Sequence, residues 1–298
     1  MHPEWIPTAG FCAILNRILG ALYYADYYSF IPVIDNWNNS AYEEENEIQG
    51  TYNVFEYYFE PVSDFSLVEV LQSRNTTILR DHNADLILRD SNVVNWYVPN
   101  DTYIKKLADI YKKYIKLNKN TEERIEREWQ TLGLVGKTLG IHYRGTDYKL
   151  GVTSHPGSYS LKMFGDTIEK VMAEKEFDSI FLATDDVEAI EFFKSNYPNI
   201  KFYNDVIRSA GKISVAYIET DRESNHYKLG YEVLRDMYTL ARCDGLIAGL
   251  SQVALTTQVI KKAKDEEYTV LKIIKTNIVK KGINWMTYFN KNLRKEGE

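Results

Sequence analysis

The chain of 298 residues is long enough for two ordinary domains, and its 44% hydrophobic and 26% charged residues are those of a soluble globular protein. A net charge of -6 argues against a nucleic-acid-binding surface, so recognition of phosphate would need placed arginines and not bulk charge. Cys12 and Cys243 alone exclude a disulfide framework and a four-cysteine zinc site, no apolar run reaches the roughly eighteen residues of a membrane span, and no signal peptide opens the chain, which predicts a cytoplasmic protein.

Met1 to Thr8 holds two prolines and no alternating run, so no first strand is expected there. From Gly10 a helix begins, with Ile14, Ile18, Leu22 and Ala25 on one stripe. Asn16 and Arg17 sit in its first turns, where donors and backbone N–H groups could meet an anion, or could simply face solvent. Phe30 to Asp35 reads as a short strand, and Glu43 to Glu47 as a solvated acidic loop. Aromatic residues crowd Tyr52 to Phe59; the 23 tyrosines suit sugar-stacking surfaces and an aromatic core equally. Thr76 to Leu79 and Asp85 to Leu88 give weaker strand or helix signals. A helix runs from Asp101 to Leu117, and Asn120 with Glu123 predicts the capped start of another that reaches Leu132. Gly133 and Gly136 close it, and the lobe boundary is placed between Leu132 and Lys137.

Beyond Lys137, strands and helices alternate. The apolar run Leu139 to Tyr143 is followed by a Gly, Ser and Pro-rich loop from Tyr148 to Tyr159 that contains His155, of a length suited to shaping an acceptor site or closing as a lid. A helix follows from Leu161 to Lys175, a strand from Ser179, a helix from Val187 to Asn196, and a strand from Ile200 to Tyr203. Lys212 to Tyr227 is polar and reads as a loop over the site; Leu229 to Cys243 is a strong helix. Gly245 to Leu250 is a buried strand, Ser251 and Gln252 open a helix to Lys262, Thr269 to Ile274 is a strand, and Ile283 to Leu293 a last helix. This alternation predicts an α/β fold with a doubly wound parallel sheet.

Three of these strands end in polar clusters: His142, Tyr143, Arg144, Gly145, Thr146 and Asp147; then Thr184, Asp185 and Asp186; then Ser251 and Gln252. Ligands of open parallel sheets bind beyond the carboxyl ends of the strands, so the clusters are candidate site residues, although a strand can also end in a charged turn that only meets solvent. Arg144 offers a fork of donors suited to phosphate, His142 one donor and one acceptor, and Ser251 an N-cap whose helix N-terminus also favours an anion.

The ordered set His-Tyr-Arg-Gly-Thr-Asp, Ala-Thr-Asp-Asp and Gly-Leu-Ser-Gln-Val resembles the α1,6-fucosyltransferase family and its relatives, the nodulation fucosyltransferases and protein O-fucosyltransferases. The likeness covers most of residues 137 to 262, with Gly10 to Ala25 its only match nearer the N-terminus. It implies an inverting, metal-independent enzyme that uses GDP-fucose, built as a GT-B-like pair of Rossmann-like lobes. The lobes would be residues 1–134 on the acceptor side, 135–282 on the nucleotide-sugar side, and a closing helix over 283–298. Carried over residue by residue, the resemblance implies His142 and Asp236 at the guanine and ribose end, Arg144 on the β-phosphate, and Ser251 and Gln252 by the diphosphate and sugar. Asp185 and Asp186 would support the nucleotide pocket, and Asn16 and Arg17 would face the donor from the other lobe. Arg144, Asp147 and Asn16 are then the catalytic candidates, with Tyr148, Lys149 and His155 in the acceptor-side loop.

Three positions depart from the family pattern: Gly145 stands where a second arginine is usual, Tyr148 where a lysine is, and Val152 near the place of the acidic residue proposed as base. Asp147 is the nearest remaining carboxylate for that role, and alternatively orients Arg144. The pair Asp185 and Asp186 also invites a magnesium or manganese site, ranked below the metal-free reading that the resemblance implies. The expected partners are a nucleotide sugar and a glycan acceptor. A transferase of another GDP-hexose is the near variant, and two other classes stay open: a nucleotide- or glycan-binding protein that keeps the pocket but has lost turnover, and an unrelated nucleotide-dependent enzyme such as a kinase, against which the missing phosphate-loop motif counts.

Overall fold

The computed structural model describes residues 9–35, 40–79, 85–218 and 220–281, and the closing helix expected over 283–298 lies outside them. The described residues fall into two compact units, neither continuous in sequence. The first takes in Met1–Glu128, Arg222–Arg235 and Leu255–Glu266, and the second Trp129–Asp221, Asp236–Ala254 and Glu267–Glu298. The first stops at Glu128, short of residue 134, and draws in pieces from two later helices.

In the first unit, α1 (Phe11–Tyr27) buries the predicted stripe of Ile14, Ile18, Leu22 and Ala25. It ends in a tight turn at Ser29, where the Phe30 N–H donates to the Ala25 carbonyl at 2.8 Å. The strand expected over Phe30 to Asp35 is not formed: Phe30 and Ile31 stay exposed, and no neighbouring strand accepts their backbone groups. Short helices α2 (Leu67–Gln72) and α3 (Leu86–Asp90) follow, then α4 (Asp101–Tyr114), capped by Asn100, and α5 (Lys119–Thr131). The cap of α5 is Asn118, whose side-chain Oδ1 accepts from the Thr121 N–H at 2.9 Å, and not Asn120, whose amide turns to Gln49.

Much of the aromatic content of this unit is core. Tyr57, Tyr58 and Phe59 are fully buried, and Tyr58 stacks on Tyr227 at 5.4 Å. Beside them Glu128 accepts from Arg124 at 2.8 Å, from the Tyr231 hydroxyl at 3.0 Å and from Arg235, so that every charge in the cluster has an opposite partner.

The second unit carries a four-stranded, all-parallel sheet. Its strands are β1 (Thr138–Tyr143), β2 (Ser179–Thr184), β3 (Gly245–Gly249) and β4 (Val270–Ile274), in the order β2-β1-β3-β4. Strands β1 to β3 are buried throughout, which matches their near-continuous apolar sequences, because a parallel sheet is covered on both faces. On one face Leu139, Ile141, Ile180, Leu182 and Ile247 pack against Phe164, Ile168 and Val171 of α6 (Leu161–Glu174) and Phe193 of α7 (Val187–Asn196). On the other, Phe181, Ala183, Leu246 and Ala248 meet Leu240 and Cys243, from the end of α8 (Asn225–Arg242) and the residue after it, and Ala254 of α9 (Gln252–Ala263). Successive residues of each strand thus serve opposite faces, and the sheet is doubly wound.

Two expectations in this half are corrected. Ile200 to Tyr203 makes only a single bridge, Lys201 beside Phe181, because Leu182 and Ile180 exchange bonds with Lys201 alone. Helix α8 starts at Asn225 and not Leu229, so the polar stretch expected as loop up to Tyr227 includes its first turn.

Candidate functional site

The connectivity locates the site. From β1 the chain crosses through α6 to β2 on one side, then returns to lay β3 on the other side of β1. That reversal opens a crevice beyond the carboxyl ends of β1 and β3, the place where open parallel sheets bind ligands. His142 and Arg144 come from the end of β1, and Ser251 and Gln252 from the turn between β3 and α9.

The two strand ends touch. Ser251 Oγ accepts from the Ala254 N–H at 3.0 Å as the N-cap of α9, and lies 3.3 Å from His142 Nδ1. His142 is buried, and burial pushes its pKa down to about 4, with the charge of Arg144 adding to the fall and Asp185 opposing it. The imidazole is therefore neutral at neutral pH and offers one donor and one acceptor.

Arg144 keeps 28% of its side chain exposed while both partners are nearly sealed. Its Nε and Nη2 donate to Asp147 Oδ1 at 2.9 and 2.8 Å, and Asp185 Oδ2 is 3.3 Å from Nε. Burial opposes its charge, but Asp147 and Asp185 more than offset that, so the guanidinium is held protonated. Asp185 also receives the Gly145 N–H at 3.0 Å and the Thr146 hydroxyl at 2.7 Å, which fixes the exit of β1. Asp186 is the N-cap of α7, accepting from the Glu188 N–H at 3.0 Å, and its other oxygen is 2.7 Å from Lys149 Nζ. Lys149 in turn reaches Glu188 at 2.9 Å. Each carboxylate of the pair thus has its own protein partners, and among the described residues no group of three metal-ligating side chains is gathered.

Gly145 is dictated by this packing. A Cβ there would lie 2.0 Å from Asp186 Oδ2, so the arginine usual at this position in the resembled family has no room. Tyr148 is buried, donates to the Leu250 carbonyl at 3.1 Å, and has the Arg144 guanidinium 5.8 Å from its ring centre. His155 packs edge-on against Tyr148 at 6.1 Å, and burial lowers its pKa. The loop that holds His155 is tied down. Ser154 N–H donates to the Val279 carbonyl, Val279 N–H to that of His155, and Gly157 N–H to that of Asn277, at 2.9, 2.9 and 3.1 Å. These bonds anchor one side of the loop to residues 277–279.

The structure joins His142, Arg144, Asp147, Tyr148, Lys149, Asp185, Asp186 and Ser251 into one linked set. Gln252 is the half-buried first residue of α9, and Asp236 is half-buried on α8. Asn16 and Arg17 belong to the other unit, where buried Asn16 accepts from the Thr256 hydroxyl at 3.1 Å. Sequence reasoning placed Thr146 in the strand-end cluster without a role, and missed Tyr159. Thr146 stands inside the motif, but Tyr159 has no local signal, since its partner Leu250 is 91 residues away.

No protein-family model matches the chain, and no curated protein is similar to it in sequence. Solved structures are. NodZ alpha-1,6-fucosyltransferase soaked with GDP-fucose aligns over 84% of this chain and 89% of its own, at 19% identity and a TM-score of 0.54. The selenomethionine fucosyltransferase NodZ from Bradyrhizobium aligns over 85% and 88%, at 19% identity and a TM-score of 0.52. POFUT1 in complex with GDP aligns over 90% and 96%, at 11% identity and a TM-score of 0.47. The first two show that the chain has the fold of these enzymes.

Proposed function

We propose that the chain is an inverting fucosyltransferase that moves fucose from GDP-fucose to a hydroxyl of an oligosaccharide, without a metal ion, in a two-lobed GT-B arrangement. The observation that carries this reading is the meeting of His142, Arg144 and the Ser251-capped helix at the switch point of a sheet whose fold is shared with a fucosyltransferase soaked with GDP-fucose.

The chemistry follows from these residues. Breaking the bond from the anomeric carbon to the β-phosphate oxygen develops negative charge on that phosphate. Arg144, already charged and oriented by Asp147 and Asp185, and the N–H groups that open α9 meet it without reorganising. Neutral His142 hydrogen-bonds the nucleoside end, and Asp236 and Gln252 complete the donor site. Asp147 spends one oxygen on two Arg144 nitrogens and so orients Arg144, and as the nearest carboxylate by sequence it is also the base proposed to take the proton of the acceptor hydroxyl. Tyr148, Lys149 and His155 form the acceptor-side wall.

Calorimetric titration with GDP, UDP, ADP and CMP, with EDTA present, tests the proposal. Selective GDP binding that survives the chelator and falls roughly tenfold to a hundredfold in Arg144→Ala is the expected result, the worth of charge-assisted hydrogen bonds to phosphate. Equal affinity for all four nucleotides, or binding indifferent to Arg144, overturns it. A second reading, a binding protein that has lost turnover, is favoured by Gly145, Tyr148 and Val152 at positions where the resembled enzymes carry charge. GDP binding with no transfer to any of a broad panel of acceptors separates it from the first.

A further inference from the structure

Leu250 lies between β3 and the cap of α9, and both of its backbone polar groups are taken by tyrosines of the acceptor-side loop. Its N–H donates to the Tyr159 hydroxyl at 2.6 Å, and its carbonyl accepts from the Tyr148 hydroxyl at 3.1 Å. Tyr159 is itself fixed, since its carbonyl accepts from the buried Tyr143 hydroxyl of β1 at 3.0 Å. The fit is close enough that a Cβ on Gly249 would stand 2.6 and 2.7 Å from Tyr159 ring atoms. Tyr148 also presents its ring to Arg144. One side chain therefore touches both halves of the anion-binding crevice, the guanidinium and the turn that starts the helix.

We propose that Tyr148 is a positioning residue, which locks the Arg144 guanidinium and the amino end of α9 into one cradle for a nucleoside diphosphate; this rests on the reading of the site given above. The N–H groups of a helix N-terminus stabilise an anion only when they point at it, and alignment fixed before binding costs nothing when the ligand arrives. The Leu250 N–H belongs to the peptide shared with Gly249 and its carbonyl to the peptide shared with Ser251, so the two tyrosines hold both peptide planes of the turn that aims α9. Tyr148 stands where the resembled enzymes carry lysine, so this chain uses the position to hold the cradle instead of adding a charge to it.

The test compares wild type, Tyr148→Phe and Tyr159→Phe in two readouts. One is titration with GDP and with guanosine; the other is amide hydrogen exchange across residues 249–254. Tyr148→Phe removes one hydroxyl and keeps the ring, and is expected to weaken GDP about fivefold while leaving guanosine unchanged, the size of one lost hydrogen bond. Exchange at Leu250 to Ala254 speeds up in both variants. Tyr148→Leu, which also strips the ring from Arg144, weakens GDP further. Equal loss of GDP and guanosine, or unaltered exchange, overturns the proposal. A wild type that binds neither nucleotide overturns the nucleotide reading, and the exchange measurement then still decides whether Tyr148 holds the turn.

Discussion

The two units handle buried charge in opposite ways, and two arginines show the contrast. Arg235, in the first unit, is 1% exposed, and with Arg124 it encloses Glu128 beneath the ring of Tyr231. Arg144, in the second, is paired to carboxylates just as closely yet keeps 28% of its side chain open at a strand end. Both are ion-paired arginines beside a tyrosine. The first is enclosed by helices and aromatic side chains. The second lies where a parallel sheet stops and its helices diverge, so that one face of the guanidinium stays available. Presentation, and not charge or pairing, separates a structural arginine from a binding one.

The largest effect expected of this contrast is on Arg235. Arg235→Met removes a cation that is itself sealed and leaves Glu128 with less compensation, a change that costs about 3–5 kcal/mol when a buried pair is broken. Urea denaturation measures it. A loss below about 1 kcal/mol, the worth of an exposed pair, would mean that the cluster is solvated and the contrast false.

The next effect is at the entrance to the second site. Gly145→Ala drives a methyl group into Asp186, whose oxygens are already committed to the Glu188 N–H and to Lys149. With a side chain that cannot retreat, the overpacking costs about 1–3 kcal/mol, read in the same denaturation experiment. An alanine tolerated without loss would show that Asp186 can swing aside, and that the exit of β1 is looser than its hydrogen bonds imply.

How much of this was legible beforehand differs between the units for a physical reason. In the second, a buried parallel strand must be apolar throughout and a helix must repeat its apolar stripe, so β1, β2, β3 and helices α6 to α9 could be read from pattern. The polar residues at the strand ends stood out against that background. In the first, Phe30 to Asp35 is as apolar as a strand but pairs with no strand among the described residues, and pattern cannot supply one. Ile200 to Tyr203 fails likewise, finding a bridge with β2 and nothing more. Roles set by distant pairing were also hidden. Asp185 and Asp186 read as support of the nucleotide pocket, but pattern could not show that Gly145 and Thr146, about 40 residues earlier, hold the first of them. The cap of α5 was misplaced by two residues, because Asn118 and Asn120 are equally good caps in isolation and only the fold assigns Asn120 to Gln49.

The smallest effect distinguishes two buried polar residues that sequence reasoning had assigned to the same donor. Asn16 in the first unit cannot titrate, whereas His142 in the second can, and its environment opposes the charge. With an ordinary value of 6.5 in the unfolded chain and about 4 in the folded one, the unfolded chain binds more protons between those two pH values. Stability therefore falls as pH is lowered from about 6.5 to about 4, and levels off below. Between pH 7.5 and pH 5 the histidine accounts for about 2 kcal/mol of the loss. His142→Gln keeps a polar side chain of similar reach and removes the titration, so its unfolding free energy should change less over that interval, by about the same 2 kcal/mol. A variant with the wild-type pH dependence would mean that protonated His142 is accommodated, by Asp185 or by water entering the crevice. The imidazole would then meet a ligand as a cation and not as the neutral donor and acceptor on which the nucleoside contact depends.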